Sequence, residues 1–412
     1  MKRSETNSIM GDAYDFNWQR GFYLPPFAFW TPVDWACKGN AAQEMVENHI
    51  QRCSRPTTLC LLAMFLLVGF ATAAPSQSSS KQAPLLTIVA APKGAPVRCV
   101  AFAPDGKTIA TGNGAQMSGE IRFYGMPKGE LRLTVKAPSQ VNALAFSPDG
   151  KTLISGTGFL LTTVSAGGGV QVWDVLTGKQ TGTFAGEDKV ELSVAFAPDG
   201  ATIASAGLDG VVSVWDLHTR ELKKEITVGR RVKCLIFLPD GKTLLSGGGS
   251  DHSGDGDLVL WNVESGELKR ALKGHTLVVN SAAISSDGSL LASVSEDEML
   301  KVWDTQTGDL KHNVNLRHEY SSAYNKFFPF AYRKAKAIAF SPDGKTVAIG
   351  GTEDCMTVLW DVQTTVVKRI LPGVLDEDVR PSRPVTSIAF SPDGKLLASG
   401  SEDGTLRVWQ TD

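Results

Sequence analysis

One tripeptide constrains this chain more than any other feature. Pro-Asp-Gly recurs as Pro104-Asp105-Gly106, Pro148-Asp149-Gly150, Pro198-Asp199-Gly200, Pro239-Asp240-Gly241, Pro342-Asp343-Gly344 and Pro392-Asp393-Gly394, and Ser286-Asp287-Gly288 adds a seventh copy without the proline. An alternating apolar run precedes each copy, such as Val385-Thr386-Ser387-Ile388-Ala389-Phe390, and another follows, such as Lys395-Leu396-Leu397-Ala398-Ser399-Gly400. Alternation on both sides of a tight turn predicts a β-hairpin. A third strand ends in Tyr124, Trp173, Trp215, Trp261, Trp303, Trp360 or Trp409. A large aromatic residue placed once per unit is suited to packing neighbouring sheets together. A short turn and a fourth strand follow, as in Gly266-Glu267-Leu268-Lys269-Arg270-Ala271-Leu272. Self-similarity of this kind means a repeat architecture.

Four short antiparallel strands, aromatic at the third and repeated seven times, resemble the WD-repeat family over about residues 84–412. Trp-Asp itself occurs in four units, and Gly-His once, as Gly274-His275. The resemblance implies an all-β, seven-bladed β-propeller of four-stranded antiparallel blades. It also implies a structural hydrogen-bonded tetrad of His275, Ser293, Asp297 and Trp303 in the fifth blade, and a non-enzymatic scaffold that binds protein or peptide partners and needs no cofactor. The last unit has only three strands before Asp412, while Leu85-Leu86-Thr87-Ile88-Val89-Ala90 is a spare strand upstream of the first. The expectation is that this N-terminal strand completes the last blade and removes an open edge. Exported chains built this way resemble bacterial extracytoplasmic WD-repeat proteins.

Ahead of the repeats, the uncharged run Leu59–Phe70 follows Arg52 and Arg55 and precedes Ala71-Thr72-Ala73. A positive flank, a short apolar run and small residues predict a secretory signal peptide; an anchor usually needs about 20 apolar residues. Translation from Met45 would give this signal an ordinary leader. The expected organisation is therefore an upstream extension over 1–44, a signal peptide over 45–73, a linker over 74–83 and the propeller over 84–412. The chain is expected outside the cytoplasm, periplasmic or secreted after cleavage, with a retained membrane anchor as the alternative. After the signal, Cys99, Cys234 and Cys355 make no disulfide framework or zinc pattern; Cys99 and Cys234 share one small inward slot and read as packing residues.

Insertions are unevenly placed. Connections between first and second strands, and between third and fourth, are short. Long ones occur between second and third strands (113–119, 157–168, 247–254) and between blades (315–334, 372–384). These two types share one end of a propeller, so one face is plain and the other elaborated, and loops on a rigid scaffold carry recognition. The connection after the fifth blade holds Arg317, Tyr320, Tyr324, Lys326, Phe327, Phe328 and Phe330, a concentration of aromatic and basic residues typical of interface centres. These are the expected partner-binding residues. With 41 basic against 43 acidic residues there is no global field for nucleic acid or an anionic membrane, and no small-molecule substrate is evident. Residues 251–257 copy the first half of a calcium loop but lack its terminal glutamate, so they read as a solvated turn. Ala166-Gly167-Gly168-Gly169 reads as a flexible turn. Two alternatives stand: a metal-dependent hydrolase using His252, His275 and His318 at the channel mouth, and a structural module tethered to the envelope. No nucleophile–base pair is visible at a readable spacing.

Overall fold

The Asp-Gly turns set the hairpins. In all seven, the aspartate Oδ1 accepts the backbone N–H two residues on, at 2.8–3.1 Å. The glycine takes φ between 63° and 73°, the left-handed conformation that costs other residues energy. The computed structural model describes residues 83–411, apart from 93, 116, 162–163, 185–188, 251–255, 317–333, 352–355 and 372–382. The expected extension, the signal segment and nearly all of the linker lie outside the described residues.

Among the described residues, 28 strands form seven four-stranded antiparallel sheets. Six are blades of consecutive strands, spanning 97–137, 141–184, 191–227, 232–271, 279–315 and 337–371. The seventh combines three strands over 385–410 with the N-terminal strand Leu86–Val89. That strand runs antiparallel to Thr405–Gln410, with Leu86 opposite Val408 and Val89 opposite Thr405.

The core is divided among the blade interfaces. Seven apolar clusters each join two neighbouring blades, and the aromatic residue of every third strand packs against the preceding blade. Tyr124 closes the circle: with Val97, Val100 and Ile109 of blade one it packs against Ala398, Leu406 and Val408 of blade seven. The plain face repeats this order, because a Cβ on Gly106, Gly150, Gly200, Gly241, Gly288 or Gly394 would lie against the proline of the preceding blade's turn. Gly106 meets Pro392 in this way, across the closure.

The insertions in blades one and two are longer hairpins instead of loops. Pairing runs out to Ala115 opposite Ser118 and to Leu161 opposite Val164. The glycine run 167–169, expected as a flexible turn, is strand. A Cβ on Gly168 would stand 1.5 Å from the Lys189 carbonyl oxygen. Glycine is there so that the neighbouring backbone can approach, a demand from the adjacent blade that local composition does not reveal.

Candidate functional site

The first strand of every blade lies innermost and has the same three-residue start. Its first residue is Val97, Val141, Glu191, Val232, Val279 or Val385, and Ala335, just ahead of the strand, takes that place in blade six; all seven are buried. Its second residue is half-buried in all seven: Arg98, Asn142, Leu192, Lys233, Asn280, Lys336 and Thr386. In six blades a β-bulge falls between the first and third residues. A bulge leaves one residue out of the ladder and re-aims its side chain. Here the seven second residues line one cavity of about 720 Å³ with Glu296, Lys334, Pro384 and Glu402. Glu296 and Glu402 follow second strands, while Lys334 and Pro384 precede first strands. The cavity is therefore the channel mouth on the elaborated face.

The polar residues of this ring fasten blade to blade. Asn142 Nδ2 donates to the carbonyl oxygens of Gly158 at 2.8 Å and of Glu191, in blade three, at 3.0 Å. Asn280 Nδ2 donates to Ala335 O in blade six at 3.0 Å, and Thr386 Oγ1 donates to Val97 O in blade one. The lysines are paired: Lys233 and Lys334 each lie 3.4 Å from Glu296, and Lys336 lies 2.7 Å from Glu402. Lys233 also donates to Asn280 Oδ1 at 2.8 Å. Arg98 differs. Its only hydrogen bond among the described residues runs from Nε to Gly114 O, at 3.3 Å, and no carboxylate pairs with it there. Burial pulls its guanidinium below its ordinary value, against the pull of Cys99 and Glu402.

The structure brings His275, Ser293, Asp297 and Trp303 together in blade five. His275 Nδ1 lies 2.9 Å from Asp297 Oδ2, His275 Nε2 lies 2.8 Å from Ser293 Oγ, and Trp303 Nε1 donates to Ser293 Oγ at 3.0 Å. An indole only donates and a carboxylate only accepts. The serine therefore passes its proton toward Nε2, and Nδ1–H donates to the aspartate. Burial works against the Asp297 charge, but bonds from His275 and from the Thr276 and Met299 amides outweigh it and hold the carboxyl below its ordinary value. His275 is 5% exposed and both its ring nitrogens are committed, so it has none to offer a metal. His252 and His318 lie outside the described residues.

Arg317, Tyr320, Tyr324, Lys326, Phe327, Phe328 and Phe330 also lie outside the described residues, as does the calcium-like turn up to Asp255. Cys99 and Cys234 are buried, and burial pushes both thiols up to about 12, which suits packing residues. The channel-mouth ring was not read from the sequence. Its signal was present as a column, the second residue of each first strand, where polar and charged types stand between two residues that stay small or apolar in nearly every unit.

The fold and its site thus define a closed β-propeller with one plain face and a polar cavity at the mouth of the other. The comparisons place it more closely. The model of the WD domain, G-beta repeat, matches residues 83–124, 129–174, 178–216, 222–262, 266–304, 333–361 and 379–410, and the chain belongs to that WD-repeat family. It is 31% identical over 154 residues to WD repeat-containing protein SL1-17 of Schistosoma mansoni, covering 37% of this chain and 49% of that protein. It is 36% identical over 118 residues to meiotic recombination protein rec14 of Schizosaccharomyces pombe, covering 28% and 37%. With the guanine nucleotide-binding protein subunit beta of Zea mays it shares 27% identity over 265 residues, covering 61% and 65%. The chain thus spans about half or less of the first two relatives. WD-repeat propellers typically serve as protein-interaction scaffolds and are generally not enzymes. A separate model, of D-lyxose isomerase, matches residues 1–51 only; it ends ahead of the apolar run and gives the propeller no activity.

Proposed function

We propose that this protein is an exported, non-enzymatic scaffold that binds a protein or peptide partner through the elaborated face of its propeller. The observation that carries the reading is the channel mouth. Seven equivalent positions converge on one cavity there, and the connections around it are the variable part of an otherwise regular repeat. Lys334, where the connection after blade five meets blade six, lines the cavity. The commitment of His275 to its serine and aspartate argues against the hydrolase alternative, which needs that imidazole free.

Replacing Phe327, Phe328 and Phe330 together with serine tests the reading. Partner capture from the native envelope fraction is expected to be lost while the melting temperature is kept, since aromatic anchors dominate interface energy. Unaffected capture removes this connection from the site. Export rests on the apolar run Leu59–Phe70 with its basic flank. N-terminal sequencing of the native protein is expected to begin near residue 74; a mature chain still carrying Trp18 rejects it.

A further inference from the structure

We infer that the channel mouth selects a partner peptide by an acidic side chain, whose carboxylate is taken by the guanidinium of Arg98. The inference rests on the scaffold reading above and adds the chemistry of the occupant.

Among the described residues lining the mouth, four are cations (Arg98, Lys233, Lys334 and Lys336) and two are carboxylates (Glu296 and Glu402), which leaves two positive charges in excess. A concave site with low-dielectric walls focuses such an excess on whatever enters it. The excess is not spread evenly. Glu296 is shared by Lys233 and Lys334, and Glu402 is taken by Lys336. Asn142, Asn280 and Thr386 are occupied in holding neighbouring blades together. What remains is Arg98, half-buried, with Nε on a backbone carbonyl and no hydrogen bond from its terminal nitrogens among the described residues.

A guanidinium offers a planar fork that matches a carboxylate with two parallel N–H···O bonds, and such pairs are the strong ones. The geometry favours a singly charged anion. Glu402, beside Arg98 in the same cavity, would repel a dianion more than a monoanion, and the lysines that would share a phosphate are already on carboxylates. Blades two and three contribute Asn142 and Leu192, an uncharged sector where the rest of a peptide can lie without meeting a second charge. One fixed acidic position in an otherwise permissive segment is the recognition these residues can supply.

The probe is a library of random nonapeptides displayed on phage and selected on the full chain. Enriched clones are expected to share an aspartate or glutamate at one fixed position. Arg98→Gln is expected to weaken a selected peptide on the order of tenfold or more, with an unchanged melting curve, while Arg98→Glu is expected to select clones with lysine or arginine in place of the acid. Binding of the selected peptide should also weaken as salt rises. Enriched clones without a fixed acid would overturn the acidic specificity and leave the scaffold reading standing. No enrichment at all would count against both. A fixed acid whose binding ignores Arg98→Gln would remove Arg98 from the site.

Discussion

Glu191 stands where the other blades carry valine or alanine. It is 3% exposed, its Oε2 is without a hydrogen-bond partner among the described residues, and its neighbours in blade three are unsettled too. Trp173, Trp261, Trp303 and Trp409 donate to Ser155, Ser246, Ser293 and Ser399 respectively. In blade three the equivalent pair is not joined: among the described residues Trp215 Nε1 is buried without a hydrogen-bond partner, and Ser205 turns instead toward the Glu191 carboxyl. Burial, then the charge of Asp209, raise the Glu191 carboxyl from 4.5 to about 7, against the pull of Lys189 and Ser205. The folded chain therefore holds a proton that the unfolded chain releases from about pH 4.5. The contribution of this carboxyl to stability is full below that pH, falls as the pH rises, and is gone above about 7, a loss on the order of 3 kcal/mol. Glu191→Val is expected to flatten the fall and to exceed the native chain in stability at pH 8, as read by urea unfolding at pH 5 and pH 8. Parallel profiles would show that the carboxyl is not buried as described. His275→Ala serves as the contrast: it strips partners from Ser293 and Asp297 and is expected to cost about 1–3 kcal/mol. The contrast also shows what sequence can carry at this scale. His275 stands out by its type and its single Gly-His pair. Glu191, in Lys-Val-Glu-Leu-Ser, looks like surface charge until the repeat is aligned in space.

At the scale of the strand and turn, legibility depends on how local the cause is. The Asp-Gly hairpins and the aromatic column were legible because each rests on chemistry within a few residues: an aspartate that bonds its own turn, a glycine at positive φ, a large ring once per unit. The extended hairpins of blades one and two were not. Glycines at 156, 158 and 167–169 suggest loop, yet Gly158 takes φ 122° at a bulge and pairing resumes beyond it. At Gly158 and Gly168 what requires glycine is the close approach of the Lys189-Val190 backbone leading into blade three, and at Gly167 that of Pro138-Ser139 leading into blade two. The ring at the channel mouth was hidden for a related reason. A period of two assigns each side chain to one of two faces, and the first strand has a third environment, the channel, reached through a bulge that alternation cannot anticipate. Six small bulges thus turn an ordinary inner strand into a lining, and the side chains they release include both those that fasten blades and the Arg98 guanidinium that we propose meets a partner.

Over the whole molecule the ring is closed by a short strand whose grip is less apolar than its sequence suggests. Leu85 and Val89 are 45% and 74% exposed; only Leu86 and Ile88 turn inward, where a Cβ on Gly129 of blade one would meet their side chains. The rest of the hold is polar and reaches across the closure. The amides of Ala90 and Ala91 donate to Gly404 O at 2.9 and 3.1 Å, and Ala90 O accepts from Asn113 Nδ2 at 2.8 Å and Tyr124 Oη at 3.4 Å. Deleting residues 85–90 therefore removes two half-buried aliphatic side chains and orphans polar groups inside blade one, at a cost of about 3–5 kcal/mol. Whole-domain stability is only about 5–15 kcal/mol, and each blade is packed on both neighbours, so the loss is expected as a downward shift of one cooperative melting transition. The deletion also bares the edge of Thr405–Gln410, and an open edge invites pairing with another chain. A synthetic peptide of residues 83–92, added in trans to the deleted chain, is accordingly expected to raise its melting temperature in a concentration-dependent way, as a strand that binds only the folded ring must. If the deletion leaves melting unchanged, this strand does not hold the ring closed. If melting falls and the peptide cannot restore it, pairing with blade seven is not what the strand contributes, and its value lies in the covalent connection to blade one.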